Sequence, residues 1–395
     1  MSGSASTPRE GATGLDSVTV LAADGTEVLH DVTLLAGPAE LMAILGPSGS
    51  GKSTVLRAIA GLTPIQSGDV LVGGRSVREL PTHERRLAMV SEAPALMSFL
   101  DVGHNVTWGM QARHRPAPEI EDRLRSRSAL LRLGRLLSRR PGGLSAGERE
   151  RVALGRALID VPSAFLLDEP LGHLDAPERV RMRRVVAEVV RGAGVPALFV
   201  THDQTDALAL ADRVAVVRAG RVVQLDTPHA LYRRPVDLFV AGFVGTPAIG
   251  LLRGHLVSSG DWAGFRIGAR VLPLWRPVPP ELRGSVGREL VLGLRPTDVQ
   301  DARVGSDAQS VRLPGTAAVV ERMGSETLVT LTVDAPAVAA PGADPPAGPQ
   351  ARLSARFPAH TPVRVGDTVE LALDSTHVHV FDPVTGRALW HPPDD

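Results

Sequence analysis

A glycine-rich stretch, GPSGSGKST at residues 46–54, combines residue types that suit phosphate binding. It follows the apolar run LMAIL and precedes a segment with apolar residues on one helical face, which is the strand–loop–helix context that this pattern needs. Its glycines permit a tight turn whose N–H groups face phosphate oxygens, Lys52 can reach the β- and γ-phosphates, and the Ser53 hydroxyl suits Mg²⁺. The stretch predicts a nucleotide phosphate site formed by Gly46, Pro47, Ser48, Gly49, Ser50, Gly51, Lys52, Ser53 and Thr54.

Two further motifs place polar side chains after apolar strands. AFLLDEP, residues 164–170, ends in Asp168, suited to hold Mg²⁺ through water, and Glu169, suited to polarise an attacking water. His202 follows the strand ALFV and is placed to contact a γ-phosphate, although this assignment depends on the other motifs. Ligands of open α/β sheets bind beyond the carboxyl ends of such strands. The pattern therefore predicts hydrolysis of a nucleoside triphosphate.

The segment LSAGERERV, residues 144–152, has the Ser-x-x-Glu spacing of a helix start. In a capping box the Ser145 hydroxyl accepts a hydrogen bond from the N–H of Glu148, and the Glu148 carboxylate accepts one from Ser145. The positive end of a helix also suits an anion. We expect a helix to begin near Ser145, and these residues alone leave open whether its end also serves a ligand.

Composition limits the class of protein. The chain has 395 residues, enough for two or three domains. Basic and acidic residues balance at 43 each, so no overall basic character indicates nucleic-acid binding. The lack of cysteine excludes disulfides and thiolate metal sites and is compatible with a reducing cytosol. No apolar run approaches the roughly 20 residues that span a bilayer, so a membrane role requires a partner.

The pattern of apolar, glycine and proline residues changes along the chain. Short apolar runs alternate with helical patterns from about Ser17 to Asp237, which is typical of an α/β domain. Arg- and Leu-rich segments interrupt the strands and indicate an inserted helical subdomain, at about 93–158. After about Gly245, short alternating stretches separated by Gly and Pro predict an all-β domain. We expect domains at 15–245 and 246–395, a disordered leader at 1–14 and a disordered loop at 334–350.

Taken together and in order, GPSGSGKST, LSAGE, FLLDEP, LGHLD and VTHD resemble the motif set of an ABC transporter ATPase subunit. A narrower resemblance, to the maltose-type importer ATPases with a C-terminal TOBE or OB-like regulatory domain, rests on VTHDQTDALALADRVAVV, LYRRPVDLFVAGFVGTPA, GLRPTDV, ERMGSETLVTL and FDPVTGRAL. The resemblance implies an α/β P-loop NTPase domain with an inserted helical subdomain, followed by an all-β OB-like domain.

The resemblance also implies a function. It implies ATP hydrolysis with Mg²⁺ that powers solute import, with carbohydrate as the expected solute. Two such subunits pair head to tail, as a homodimer or with a homologous subunit, and the signature of one closes over ATP held by the other. The implied partners are two transmembrane permease subunits and an extracytoplasmic solute-binding protein, and the implied location is the cytoplasmic face of the membrane. The implied roles are Glu169 and His202 in catalysis; Ser53, Asp168 and Glu92 at Mg²⁺; and Glu92, Ser145, Ala146, Gly147, Glu148 and Asp175 at the nucleotide or the dimer seam.

Four features depart from the family pattern. The signature reads LSAGE where LSGGQ is usual, so Ala146 adds a methyl group and Glu148 a charge near bound phosphate. Glu92 stands where a glutamine usually contacts Mg²⁺ and the hydrolytic water. The aromatic residue that usually stacks on adenine is missing from VTVLAADG, and Leu21 or Ala22 would recover part of its contact. By analogy with base stacking elsewhere, this loss costs about 1–3 kcal/mol of nucleotide affinity.

Three alternatives stay open at the level of sequence. A same-family importer for polyamine, glycerol phosphate, sulfate or ferric ion shares most of these motifs. A soluble ATPase of the DNA-repair or translation type usually has two cassettes in one chain, long coiled coils, zinc cysteines or basic tails, and none of these is visible in the sequence. A regulatory nucleotide-binding protein with impaired hydrolysis is supported only by Glu92 and LSAGE.

Overall fold

The computed structural model describes residues 10–303, 311–339 and 348–393. The chain divides into two compact units, Met1–Pro228 and His229–Asp395. Of the predicted leader, residues 1–9 lie outside the described residues. The described part of the predicted leader is ordered: Ala12 and Thr13 are fully buried, and Thr13 pairs with the second strand.

The first unit is an α/β fold. Its strands are β1 (Thr13–Leu21), β2 (Glu27–Ala36), β3 (Leu41–Leu45), β4 (Ser67–Val72), β5 (Arg75–Ser76), β6 (Leu87–Val90), β7 (Ala164–Asp168), β8 (Ala197–Val200), β9 (Arg213–Arg218) and β10 (Arg221–Asp226). Its helices are α1 (Lys52–Ala60), α2 (Val102–Ala112), α3 (Ala117–Leu130), α4 (Ala146–Leu158), α5 (Ala176–Ala193) and α6 (Gln204–Leu210). Short 3₁₀ turns lie at Thr82–Glu84, Gly134–Leu136 and Pro141–Gly143.

A six-stranded sheet forms the centre of this unit, in the order β10-β9-β3-β8-β7-β6. Strands β9, β3, β8, β7 and β6 pair in parallel, and β10 is antiparallel to β9. Every residue of β3, β7 and β8 is buried, which explains why these strands read as continuous apolar runs rather than alternating ones. A smaller antiparallel sheet has the order β2-β1-β4-β5.

Helices α2, α3 and α4 fill the stretch between β6 and β7, where the sequence predicts the helical insertion. Helix α4 begins with the predicted capping box. The Ser145 hydroxyl accepts a hydrogen bond from the Glu148 N–H at 3.2 Å, and Glu148 Oε2 accepts one from the Ser145 N–H at 2.9 Å. The helix start predicted at Ser145 is therefore confirmed.

The second unit is mostly β structure. It contains α7 (Pro228–Arg233, whose first residue closes the first unit) and α8 (Leu238–Phe243). Its strands are β11 (Gly250–Ser259), β12 (Trp262–Ile267), β13 (Arg270–Trp275), β14 (Glu289–Leu294), β15 (Val299–Asp301), β16 (Val311–Arg322), β17 (Glu326–Pro336), β18 (Gln350–Pro358), β19 (Thr368–Leu373), β20 (Val378–Phe381) and β21 (Ala388–Trp390). Short 3₁₀ turns lie at Pro280–Ser285, Pro296–Asp298 and Ser375–His377.

Two antiparallel sheets share the core of the second unit. Their orders are β13-β12-β11-β14-β20-β21 and β15-β19-β16-β17-β18, and apolar residues from both form one cluster. The predicted fold class, an α/β P-loop domain followed by an all-β domain, is confirmed. The predicted loop limits of 334 and 350 are wrong, because β17 continues to Pro336, which pairs with Gln350 at the start of β18. Residues 340–347 lie outside the described part of the chain.

Arg295, in the motif GLRPTDV, is only 1% exposed and carries its charge inside the second unit. Its Nη1 donates to the carbonyl oxygens of Ala241 (3.0 Å) and Val244 (2.6 Å), and its Nη2 donates to that of Tyr232 (2.8 Å). The guanidinium carbon lies 4.1 Å from the centroid of the Tyr232 ring, a cation–π contact. Burial lowers the pKa of Arg295 to about 10, so it stays charged at neutral pH.

These contacts correct the predicted domain boundary of 245/246. Leu238 and Ala241 of α8 pack in a cluster with Ile249, Val291 and Phe381 of the β structure. The Leu238 N–H also donates to the carbonyl of Gly386 at 2.9 Å. Because α8 is held by the β-rich unit on these sides, the compact units divide before it, at 228/229.

Replacing Arg295 should destabilise the second unit. In Arg295→Leu three carbonyl oxygens lose their donor, and the hydrogen bonds to those of Ala241 and Val244 are buried. We therefore expect a loss of about 2–4 kcal/mol in the free energy of unfolding. Denaturant unfolding followed by tryptophan fluorescence measures this change. The matched control is Arg312→Leu, whose half-exposed ion pair with Glu370 should contribute below about 0.5 kcal/mol. Equal losses in the two variants would contradict this account of Arg295.

Candidate nucleotide site

Four loops meet at one edge of the central sheet, because β3, β6, β7 and β8 run parallel and end on the same side. The phosphate loop GPSGSGKST follows β3, and Glu92 follows β6. Asp168 ends β7, with Glu169 next in the chain, and His202 follows β8. The sheet therefore brings together the residues predicted for phosphate, metal and water, at the edge where open α/β sheets bind ligands.

The phosphate loop is packed too tightly for side chains at two of its glycines. A Cβ on Gly46 would lie 2.1 Å from the Val217 carbonyl oxygen, and one on Gly51 would lie 2.8 Å from Leu29 Cδ2. Gly51 also has a φ of +100°, which few other residues adopt without strain. These glycines let the backbone turn sharply into α1.

Lys52, the first residue of α1, reaches back over the loop. Its Nζ donates to the carbonyl oxygens of Gly46 and Pro47, each at 2.9 Å. Burial lowers the pKa of Lys52, while the carboxylates of Glu169, Asp168 and Glu92 oppose that shift. The ammonium group thus lies within electrostatic reach of all three acids, and a phosphate would offer it a stronger partner than two carbonyls.

The start of α1 offers donors that suit an anion. The residue before it, Gly51, supplies no side chain to cap the first N–H groups of the helix. The nearby Ser50 hydroxyl oxygen is buried and finds no hydrogen-bond partner among the described residues. Uncapped N–H groups, an unpaired hydroxyl and Lys52 form a donor set that fits a phosphate.

Asp168 and Ser53 are already in contact. Ser53 Oγ donates to Asp168 Oδ1 at 3.2 Å. Burial raises the pKa of Asp168, and the charges of Glu169 and Glu92 raise it further, against the hydrogen bond from Ser53 and the charge of Lys52. Hydroxyl and carboxylate oxygens crowded in this way fit a hard cation such as Mg²⁺. Within residues 10–303, 311–339 and 348–393, no three His, Cys, Asp or Glu side chains gather to hold a metal by themselves.

Glu169 and His202 form the second pair of the site. His202 Nδ1 lies 2.9 Å from Glu169 Oε2; the glutamate side chain is 15% exposed and the histidine 71%. Glu169 has a φ of +48°, a left-handed conformation that costs a non-glycine residue roughly 1–2 kcal/mol. Its N–H donates to the Val200 carbonyl at 3.0 Å, so β8 helps to hold the strained turn. The arrangement places an acceptor for a water proton beside an exposed imidazole.

The remaining predicted residues belong to two other helix starts. Ser145, Ala146, Gly147 and Glu148 open α4, and Asp175 caps α5 by accepting the Glu178 N–H at 2.9 Å. The N–H of Ser145 lowers the pKa of Glu148, so its charge is engaged in the cap. Among the described contacts, no hydrogen bond or ion pair joins this group to the phosphate loop. Their assignment to nucleotide or dimer contacts stays a prediction.

The turn between β9 and β10 supports the phosphate loop, a role that the sequence analysis missed. The Gly220 N–H donates to the Ser50 carbonyl at 3.1 Å, and the Val217 carbonyl fills the space beside Gly46. Ala219 and Gly220 both have positive φ, as a type I′ hairpin turn requires. The sequence signal for this turn is weak, because Gly220 stands between two apolar runs without the Asn or Asp that usually precedes glycine in such turns.

The segment expected to contact adenine lies between β1 and β2. Leu21 ends β1 and Ala22 follows it, both half-buried, and the Ala22 N–H donates to the Thr26 carbonyl at 2.8 Å to close the turn. Leu21 and Ala22 thus leave some apolar surface accessible beside the turn. Their contact with a base stays a prediction.

Comparisons with known proteins agree with this geometry. The ABC transporter family matches residues 29–172 and the TOBE domain family matches residues 292–381. The chain is 39% identical to an sn-glycerol-3-phosphate import ATP-binding protein of Paracoccus denitrificans, covering 92% of this chain and 96% of that protein. It is 37% identical to a trehalose/maltose import ATP-binding protein of Thermococcus litoralis (92% and 95% covered) and 35% identical to a trehalose import ATP-binding protein of Mycobacterium tuberculosis (96% and 98%).

A solved structure is similar to part of the chain. It is the ATP-binding cassette MJ0796, described as a dimer in a post-hydrolysis state bound to ADP and Pi. The TM-score is 0.51 at 26% sequence identity, and the match covers 55% of this chain and 98% of that one.

The chain belongs to the family of ABC transporter ATP-binding subunits. It is an importer ATPase that binds nucleotide and carries a TOBE domain, as the sequence analysis predicted. Within the part of the chain that the structure describes, every helix is too short or too polar to cross a bilayer.

Glu92 should weaken nucleotide binding through its charge. Replacing it with glutamine removes one negative charge near the phosphates, worth about 1 kcal/mol at a partly exposed site, so we expect Glu92→Gln to bind ATP about fivefold tighter without divalent cation. Titration with a fluorescent ATP analogue in chelator measures this. The gain should shrink at high salt. Glu84→Gln, an exposed acid on a 3₁₀ turn, is the control, and unchanged or weaker binding by Glu92→Gln would show that its charge does not act on the site.

Proposed function

We propose that this chain hydrolyses ATP to power the import of a carbohydrate. The observation that carries the proposal is the meeting of Lys52, Ser53, Asp168, Glu169 and His202 at one sheet edge, in a chain whose relatives are import ATP-binding proteins. The contacts described above involve groups suited to phosphate, cation and water. The choice of solute therefore rests on the relatives alone.

The relatives favour sugars and leave one close alternative. The proteins of Thermococcus litoralis and Mycobacterium tuberculosis are described as importing trehalose or maltose. The protein of Paracoccus denitrificans is described as importing sn-glycerol-3-phosphate, at slightly higher identity. We therefore propose a carbohydrate or sugar derivative as the solute, with glycerol phosphate as the second candidate.

In the proposed reaction, water attacks the γ-phosphorus and Glu169 accepts its proton. The bond from the γ-phosphorus to the β–γ bridging oxygen breaks, and ADP and inorganic phosphate leave. A positioned carboxylate in this role typically contributes 10²–10⁴-fold to the rate. The contact of 2.9 Å with His202 orients the Glu169 carboxylate, and an imidazolium, which has a proton on both ring nitrogens, can also donate from Nε2 to a phosphate oxygen. Lys52 would exchange its two carbonyl partners for the β- and γ-phosphates and offset their charge.

Mg²⁺ fits the oxygen donors of the site. Ser53 and Asp168, which are in contact, and Glu92, which is within electrostatic reach, would hold it. When bound, the ion would neutralise part of the phosphate charge. The raised pKa of Asp168 supports this role, because a buried carboxylate short of cations gains most from a divalent ion.

We propose that two subunits form the complete site. The similarity to a cassette solved as a dimer supports pairing, either of two copies or of this chain with a homologue. The starts of α4 and α5, with Ser145, Ala146, Gly147, Glu148 and Asp175, would then face nucleotide held by the partner. Uncapped N–H groups of Ala146 and Gly147 would supply donors, since the capping box engages those of Ser145 and Glu148.

The proposed assembly is peripheral on the cytoplasmic face of the cell membrane. Two permease subunits would provide the pathway, and an extracytoplasmic solute-binding protein would deliver the solute. The names of the import relatives support this proposal. The segment after β6, which contains Glu92 and the 67% exposed Phe99, is the proposed contact with the permease.

Glu169→Gln tests both the reaction and the partners. We expect ATP turnover to fall at least 100-fold while nucleotide binding is kept, because the amide cannot accept the proton. The variant, loaded with Mg-ATP, should then stay in its closed dimer and retain its partners. Affinity capture from native membranes and mass spectrometry should recover two multispanning permeases, together with a solute-binding protein that indicates the solute.

The control is Glu188→Gln, the same substitution on the exposed side of α5, which should hydrolyse ATP like the wild type. ATP turnover by Glu169→Gln within threefold of the wild type would rule out the proposed role of Glu169. Recovery of soluble partners only, from a variant shown to bind nucleotide, would rule out the import assembly.

A further inference from the structure

The turn that follows β7 meets the loop that follows β8 through the side chain of Glu169. The Glu169 carboxylate contacts His202 at 2.9 Å. The Glu169 carbonyl accepts the N–H of Gly172 at 3.3 Å, so the turn folds back on itself before α5 begins. A shift of Gly172 would therefore act on the backbone of Glu169 through this hydrogen bond.

Arg179, in the first turns of α5, joins the two loops at a second place. Its Nη1 donates to Asp203 Oδ2 at 2.8 Å. Its Nη2 donates to the carbonyl oxygens of Gly172 at 3.3 Å and Leu174 at 3.5 Å. One guanidinium thus holds the residue next to His202 and the turn next to Glu169. The contacts form a closed ring from Glu169 through Gly172, Arg179 and Asp203 to His202.

Asp203 divides its two carboxylate oxygens between two helices. Oδ1 caps α6, accepting the N–H groups of Thr205 at 2.8 Å and Asp206 at 3.2 Å. Oδ2 accepts the hydrogen bond from Arg179 on α5. Since His202 precedes Asp203 in the chain and its side chain is mostly exposed, these bonds, together with its contact to Glu169, determine where the imidazole lies.

The ring also reaches the start of α4. Glu150, only 2% exposed, accepts the N–H of His173 through Oε2 at 2.9 Å. His173 lies between Gly172 and Leu174, the two residues whose carbonyls Arg179 holds. The helix that begins at Ser145 is thereby connected to the same turn.

We propose that Arg179 is a positioning residue for ATP hydrolysis, which holds His202 against Glu169 by fixing Asp203 to the Gly172–Leu174 turn. The inference rests on the proposed roles of Glu169 and His202. Through Arg179, the conformation of the LGHLD turn would also affect the placement of Glu169 and His202. A lysine in place of Arg179 keeps one contact at a time, because its single nitrogen lacks the two-pronged geometry that spans Asp203 and the carbonyls.

A neighbouring ion pair offers a matched control. Arg183 lies one turn further along α5, and its Nη1 is 3.3 Å from Oδ1 of Asp206 on α6. It joins the same two helices and is more buried than the pair of Arg179 and Asp203. Among the described contacts it reaches no carbonyl of the LGHLD turn. A purely structural role for Arg179 predicts that both arginines behave alike.

The test compares Arg179→Ala, Arg179→Lys and Arg183→Ala in the full-length chain with Mg-ATP. For Arg179→Ala we expect kcat to fall about tenfold with KM within about twofold, because misplacement of a catalytic group lowers rate rather than binding. Arg183→Ala should lower the melting temperature at least as much and keep kcat within twofold. Arg179→Lys should recover part of the rate, and Asp203→Asn, which keeps the α6 cap, should resemble Arg179→Ala.

A double variant shows whether Arg179 acts through His202. Added to His202→Ala, the Arg179→Ala change should lower kcat by less than twofold, since there is no imidazole left to position. Independent, multiplicative effects would overturn the proposal. Equal rate losses in Arg179→Ala and Arg183→Ala, at measured and matched folded fractions, would overturn it as well.

A spectroscopic readout separates this inference from the proposed reaction. The imidazole NMR resonances of His202, assigned with His202→Ala, should shift in Arg179→Ala and stay in place in Arg183→Ala. A wild type that does not hydrolyse ATP would rule out the proposed function. The NMR comparison would then still test whether Arg179 positions His202. Unchanged His202 resonances in Arg179→Ala would sink the positional claim even if the wild type hydrolyses ATP.

Discussion

Parallel pairing of β3, β8, β7 and β6 is the constraint on which the rest of the first unit depends. It makes residues far apart in the chain, from Lys52 to His202, leave the sheet at one edge. Each strand is fully or partly buried, so none can slip in register without exposing apolar side chains. The chemistry of the site is therefore set by the sheet and adjusted by the loops.

Charge at that edge is unbalanced in favour of acids. Asp168, Glu169 and Glu92 act on a single lysine, Lys52, and burial adds to the cost of ionising Asp168. A nucleotide alone adds more negative charge, so the arrangement favours its arrival with a cation. The family's usual glutamine at position 92 would lessen this imbalance, which makes Glu92 the departure with the clearest electrostatic consequence.

Local patterns predicted what depends on local sequence. The phosphate loop, the strand–acid motif, the capping box of Ser145 and the two-domain order all follow from spacing and periodicity. Contacts between distant segments could not be predicted in this way. Arg179 belongs to a charged helix pattern like its neighbours, and only the fold brings it to Asp203. The domain boundary predicted at 245/246 was too far along the chain, because the contacts that tie α8 to the second unit join distant residues. Arg295, for example, lies about fifty residues beyond the carbonyls of Ala241 and Val244 to which it donates.

The way α8 is held affects how the gene could be cut or fused. Leu238 and Ala241 face apolar side chains of the β-rich unit, and the helix reads LFVAGF. A fragment ending near residue 245 would keep this helix and lose those partners. Its C-terminal segment would then expose apolar side chains and be prone to aggregation and proteolysis. A fragment ending at Pro228 would omit it. A chimera joined at that junction would therefore keep α8 together with the strands that cover it.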